Sequence, residues 1–219
     1  MIYIFIAMFF FFFFGMPIAF GILSSTIYYL LFSGQSRELL AFSSRVISAS
    51  DSYVLLAVPF FMLAAELMNE AKITDRIFSF ARSLVGHIPG GLGHVNIMAS
   101  IIFAGMSGSG LADTSGLGKV EIKAMKDEGY DPAFSAAVTA SSAIIGPIIP
   151  PSICMVVGAV VTNTSVGRML VGGIIPGFMM GAGLMLVVYF LSKKRGYPKA
   201  KRATMKEIWK QLTGTGPAF

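Results

Sequence analysis

One cysteine in 219 residues, Cys154, leaves this chain no internal disulfide to form, and it sits inside an apolar segment as a small packed side chain would. Charge is nearly as scarce. Lys, Arg, Asp and Glu make up 13% of the residues against 55% hydrophobic ones, a balance outside the usage of soluble domains. An all-α integral membrane protein is the expectation. There are only two histidines, His87 and His94, and both precede Ser107, so the G-x-S-G form at 105–108 has no later base for an intramembrane serine protease. Asp113 finds no second acid within an apolar segment, which argues against an intramembrane aspartyl protease. The expectation is therefore no enzyme and no organic cofactor. The formal net charge is +6, but the cations fall between or after apolar runs, the pattern of the positive-inside bias. The partner that this implies is a lipid bilayer, not nucleic acid.

Residues 2–32 lack a basic leader and far exceed the apolar core of a signal peptide, which predicts a retained helix kinked at Gly15-Met16-Pro17. After a polar connection, LLAVPFFMLAAELM at 55–68 centres a second span, where Pro59 is tolerable if neighbours re-satisfy the backbone. The pattern then becomes amphipathic. Ile73, Ile77, Phe80, Ala81 and Leu84 share one face, and Lys72, Asp75, Arg76, Ser79, Arg82 and Ser83 share the other. An interfacial helix at 72–90, closed by Gly86 and a glycine-rich turn, accounts for this, with a soluble-type connector helix as the alternative.

LGHVNIMASIIFAGM at 92–106 is too short to cross comfortably before SGSG interrupts it. A helix ending inside a membrane exposes carbonyls that lipid cannot satisfy, so such breaks persist only within protein or beside a polar cavity. Residues 91–128 are read as a re-entrant hairpin with its tip at 107–110. That topology puts 14 of the 17 lysines and arginines on one face, but charge counting also accommodates a full span. In GYDPAFSAAV, Asp131 can cap a helix and Pro132 can open it. GPIIPPS at 146–152 breaks that helix, so 129–163 reads as a broken transmembrane helix. A span at 164–192 precedes 193–219, a basic tail or a linker to a second repeat, which either topology makes cytoplasmic.

Two interrupted apolar segments point to a transporter site, because half-helix amino ends favour anions while unwound carbonyls and small hydroxyls can ligate a cation. Gly105, Gly108 and Gly110 permit close backbone approach, and Ser107 and Ser109 offer hard oxygen ligands. Packing contacts are the other reading of such small residues. Asp113, an acid inside the membrane, marks a functional site unless it reaches water or caps the second hairpin helix. The polar residues cluster at one depth and line no continuous path, which disfavours a passive channel.

GMSGSGLADTSGLG, a spacer ending KDEGYDPAF, then SSAIIGPIIPPSI and GGIIPG resemble the large membrane subunit of tripartite ATP-independent periplasmic (TRAP) transporters. The upstream stretch from VPFFMLAAELM to GGLGHVN resembles the same family, so the likeness covers nearly the whole chain. It implies an elevator-type ion-transporter fold, in which residues 1–71 are scaffold helices, 72–90 is an arm, and the hairpin and broken helix move as a body. It also implies sodium-coupled uptake of an organic acid, such as a C4-dicarboxylate or sialic acid, across a bacterial inner membrane. The implied partners are a periplasmic substrate-binding protein and a small four-helix membrane subunit. Carried over by position, Ser107, Gly108, Ser109, Gly110, Gly146, Ile149 and Pro150 would hold sodium, and Ser107, Asp113 and Ser152 would meet the substrate. Departures include Gly110 in place of a slightly larger residue, Lys123 in place of a proline, and the phenylalanine run of the first helix. The family builds its site from two inverted repeats, and only the first is expected in these 219 residues. An assembly half that transports only with a second chain is the alternative.

Overall fold

The computed structural model describes residues 2–34, 36–51, 53–71 and 73–215. Met1, Gln35 and Ser52 of the expected scaffold, Lys72 at the start of the expected arm, and residues 216–219 of the expected tail lie outside the described residues. Every regular element among the described residues is helical, and the chain divides into two compact units, Met1–Tyr53 and Val54–Phe219.

The first unit holds α1 (Ile2–Phe13), α2 (Ile18–Phe32) and α3 (Ser36–Ser50). The single kinked helix expected over 2–32 is thus two helices. Gly15 adopts a left-handed φ of +76° and Pro17 has no N–H to donate, so the chain turns instead of bending. It folds back far enough for Phe12 to lie on Gly21 and for Tyr3 to share a hollow with Tyr28, Tyr29 and Phe32. At 1.5 Å per residue these helices reach about 18 and 22 Å, short of a hydrocarbon core of about 30 Å. Phe5, Phe9, Phe10 and Phe13 point outward, the surface expected of a lipid-bounded protein.

The second unit contains α4 (Ala57–Glu70), α5 (Ile73–Val85), α6 (Gly91–Ser107), α7 (Gly110–Ser115), α8 (Leu117–Asp127), α9 (Pro132–Ala143), α10 (Ile153–Val161), α11 (Val166–Arg195) and α12 (Met205–Thr215). Helix α6 is the axis. It packs against α5, α8, α9 and α11, and Val95, Ile97, Ala99 and Phe103 are sealed completely. Small residues set the spacing: Gly93 meets Val188 of α11, and Gly181 of α11 meets Ile101. Helix α11 is long and apolar enough to cross a membrane, with Val171, Ile175, Phe178 and Phe190 exposed. It ends on Lys193, Lys194 and Arg195 before Gly196 at φ +68°, a left-handed cap at the end where cations suit the helix dipole.

Helix α5 buries Thr74, Ile77, Phe78 and Ala81 at i, i+3, i+4 and i+7. The stripe is rotated from the expected one, leaving Phe80 and Leu84 half-buried, because α5 packs on α6 and on α12. The chain beyond α11 does more than extend as a basic tail. Tyr197 stacks on Tyr130 with ring centroids 4.4 Å apart, and the Tyr130 hydroxyl donates to the Pro198 carbonyl at 3.1 Å. The same hydroxyl accepts from Leu92 N at 3.3 Å, while Ala200 N donates to Gly86 O at 2.9 Å. Arg195 reaches Asp131 at 3.3 Å and Arg82 pairs with Glu128, so three connections meet at this end. Burial pushes the Tyr130 phenol up to about 12.

Candidate functional site

Helix α6 stops at Ser107 because Gly108 turns left-handed, at φ +60°, with its N–H on Ala104 O at 3.1 Å. Ser109 then caps α7, its hydroxyl accepting from Ala112 N at 3.3 Å. On the facing strand of chain, α9 ends at Ala143 and regular helix resumes only at Ile153. Proline at 147, 150 and 151 removes three donors from this stretch, so no helix can run through it. Ser152 reopens the helix, accepting from Met155 N at 3.1 Å and donating to the Pro147 carbonyl at 2.5 Å.

The two interruptions touch, main chain against main chain. A Cβ on Gly108 would land in the Pro151 carbonyl oxygen, one on Gly110 would sit 2.6 Å from Ala143 O, and one on Gly146 would sit 3.1 Å from Gly110 N. Only α-carbons that carry no Cβ allow this approach. A cavity of about 420 Å³ opens beside the contact, lined by Gly108, Ser109, Gly110, Thr114, Pro147, Ile153 and Cys154 among others.

The structure therefore brings together Ser107, Gly108, Ser109, Gly110, Gly146 and Ser152, with Ser107, Gly108, Gly146 and Ser152 buried. Pro150 presents its carbonyl toward Gly105 of α6, and Ile149 packs its side chain on Gly177 of α11. Asp113 does not line the cavity. It is 3% exposed and faces Ser100 of α6.

Ser100 opens a polar chain that sequence reasoning did not find. Its hydroxyl donates to Ser142 Oγ at 3.1 Å, Ser142 donates to Asn96 Oδ1 at 2.7 Å, and Asn96 Nδ2 donates to Thr139 Oγ1 at 2.7 Å. These groups tie α6 to α9 in a buried, fully connected network. Nor is Asp113 without a second acid: α8 brings up Glu121, wholly buried and acted on by the Asp113 charge. A signal for it existed in the spacing. Glu121 shares a helical face with Leu117, Gly118 and Met125, whereas Lys119, Lys123 and Lys126 are exposed.

A helix tip resting on the unwound middle of another helix, inside a body with an apolar exterior, is the arrangement of a membrane transport protein. Comparison with known proteins narrows this: residues 5–219 match the family described as "Tripartite ATP-independent periplasmic transporter, DctM component". The chain belongs to that family. It is 48% identical over 198 residues to the sialic acid TRAP transporter large permease protein SiaM of Vibrio cholerae, an alignment covering 90% of this chain and 46% of that one. The sialic acid TRAP transporter permease protein SiaT of Haemophilus influenzae is 45% identical over 196 residues, covering 90% and 32%. The 2,3-diketo-L-gulonate TRAP transporter large permease protein YiaN of Escherichia coli is 38% identical over 195 residues, covering 89% and 46%. The chain thus spans half or less of the length of these relatives, all of them permeases and not enzymes.

Proposed function

We propose that this chain forms the first inverted repeat of an elevator-type carrier that takes up an organic acid together with sodium across a bacterial inner membrane. The observation that carries the reading is the main-chain contact between the 107–110 tip and the 146–152 break. At that contact, hydroxyl and carbonyl oxygens from Ser107, Ser109, Gly146, Ile149 and Pro150 would supply the hard ligands that a sodium ion requires. The amino end of α10 points its free N–H groups toward the same region, which suits a carboxylate near Ser152. The adjacent cavity would take the body of the acid. Asp113 contributes from behind, through α7 and Ser100, and not as a wall of the cavity.

In this reading α6 to α8, within 91–128, is the re-entrant hairpin, and 129–163 is the broken transmembrane helix. Residues 1–71 belong to the scaffold, 72–90 to the arm, 164–192 to a full span, and 193–219 to the link toward a second repeat. A periplasmic binding protein delivers the acid, and a small four-helix subunit completes the membrane assembly. Sodium acts by ordering the tip, so its binding energy appears as affinity for the acid. The names of the SiaM and SiaT relatives, at 48% and 45% identity, support a sugar acid as cargo ahead of the keto acid and C4-dicarboxylate named for relatives at 38%.

The test is uptake of labelled sialic acid into proteoliposomes holding the complete complex, with and without a sodium gradient. The double variant Ser107→Ala, Ser109→Ala is expected to need several-fold more sodium for half-maximal uptake. Uptake indifferent to sodium, or an unaltered sodium requirement in the double variant, refutes the assignment.

A further inference from the structure

Glu121 is the acid that the transport reading does not use. Its exposure is 0%, and neither Oε1 nor Oε2 has a hydrogen-bond partner among the described residues. One turn toward the amino end, Gly118 abuts the methyl group of Thr139, and one turn toward the carboxyl end, Met125 touches the Asn96 amide at 3.9 Å. Glu121 therefore lies between two contacts of α8 with the α6–α9 seam, beside the buried polar chain.

The charges around it offer no relief. Helix α7 presents Asp113, of like sign. Helix α6 carries one titratable side chain, His94, and α9 carries none. On α5, Asp75 and Arg76 are exposed and Arg82 is taken by Glu128. Nor can another polypeptide help in this conformation, because residues of this chain alone already close off both oxygens. A carboxylate held there would leave a buried, unpaired negative charge facing a second one, an arrangement that opposes folding. Adding a proton removes that charge without moving an atom.

We infer that Glu121 is a proton-binding site, carried as the neutral carboxylic acid at the seam of α6, α8 and α9. Its ligand is the proton itself. Release of the proton at alkaline pH would set two like charges side by side behind the tip. The site makes no claim on what the carrier transports, so its test stands apart from the uptake assay.

The experiment is infrared spectroscopy of the complete complex in lipid, comparing wild type, Glu121→Gln and Asp113→Asn. A protonated-carboxyl stretch equivalent to one group per chain is expected at neutral pH in wild type and in Asp113→Asn, fading from wild type as the pH is raised. Glu121→Gln is expected to lack it while assembling normally. Identical spectra for wild type and Glu121→Gln in that region overturn the proposal. If Glu121→Gln fails to assemble, Glu121→Met is the second variant; failure of both neutral replacements shows that the charge is required, and equally overturns it.

Discussion

Replacing Gly108 by alanine probes the contact between tip and break directly, because two separable effects act at that residue. The first is conformational: at φ +60° an alanine costs about 1 kcal/mol relative to glycine. Gly129 isolates this effect, since it has φ +84° and no atom within 4 Å of where a Cβ would stand. The second is steric. The new methyl would occupy the Pro151 carbonyl oxygen, and restoring an ordinary C···O separation of about 3.3–3.6 Å forces the tip back by about an ångström or more. The obstacle is main chain on both sides, so no rotamer change relieves it. Overpacking of this kind costs about 1–3 kcal/mol in well-packed interiors, giving a total of about 2–4 kcal/mol for Gly108→Ala against about 1 for Gly129→Ala. The difference, about 1–3 kcal/mol, corresponds to a factor of about 5–150 in an equilibrium constant. Thermal unfolding of the purified complex should register the larger loss in Gly108→Ala, and sodium dependence of uptake should shift by at least about fivefold. If the two alanine variants behave alike in both assays, the tip does not rest on Pro151 and the geometry argued above is wrong.

Cys154, the one thiol in the chain, is exposed and lines the cavity, so maleimide should label it, and sodium with the transported acid should slow labelling several-fold. Equal labelling rates with and without ligands would place the cargo elsewhere. Tyr130→Phe removes the hydroxyl that serves both Pro198 and Leu92, and should destabilise the second unit by about 1–2 kcal/mol, with faster proteolysis near residues 197–200 as the readout. Its pH dependence has a definite sign. The phenol is raised to about 12 from an ordinary value near 10, so its stabilisation is complete below about pH 10 and disappears as the pH climbs through 12; the phenylalanine variant should lack that alkaline loss.

Local punctuation made much of this structure readable. Gly-Ser pairs at 107–110, three prolines between 147 and 151, and Asp131-Pro132 each act on their own backbone, so the ends of α6 and α9 and the start of α9 were visible without tertiary knowledge. What depends on a partner was not. The turn of α1 onto α2 needs the same Gly-Pro signal as a kink, and only the packing of Phe12 on Gly21 distinguishes them. The buried stripe of α5 rotated because α12 covers part of it, and α12 passed as polar tail although Thr204 and Glu207 form a reciprocal cap, with Thr204 N on Glu207 Oε2 at 2.7 Å. Glu121 was hidden for a different reason. Among three lysines it reads as surface charge, and only its register with Leu117 and Met125 turns it inward. At the tip itself, the residue types were legible and the contact was not, since spacing cannot say which carbonyl a glycine will meet.

The contact at Gly108, Gly110 and Gly146 is made almost wholly of peptide groups, the part of a protein that every residue type shares. Side chains on the cavity wall, such as Thr114, Ile153 and Cys154, can therefore be exchanged by mutation without disturbing how the ion would be held. Such a carrier could acquire a new cargo by small successive changes to the wall while its coupling stays intact. Selection on diet and selection on energetics would then act on different residues of one small site.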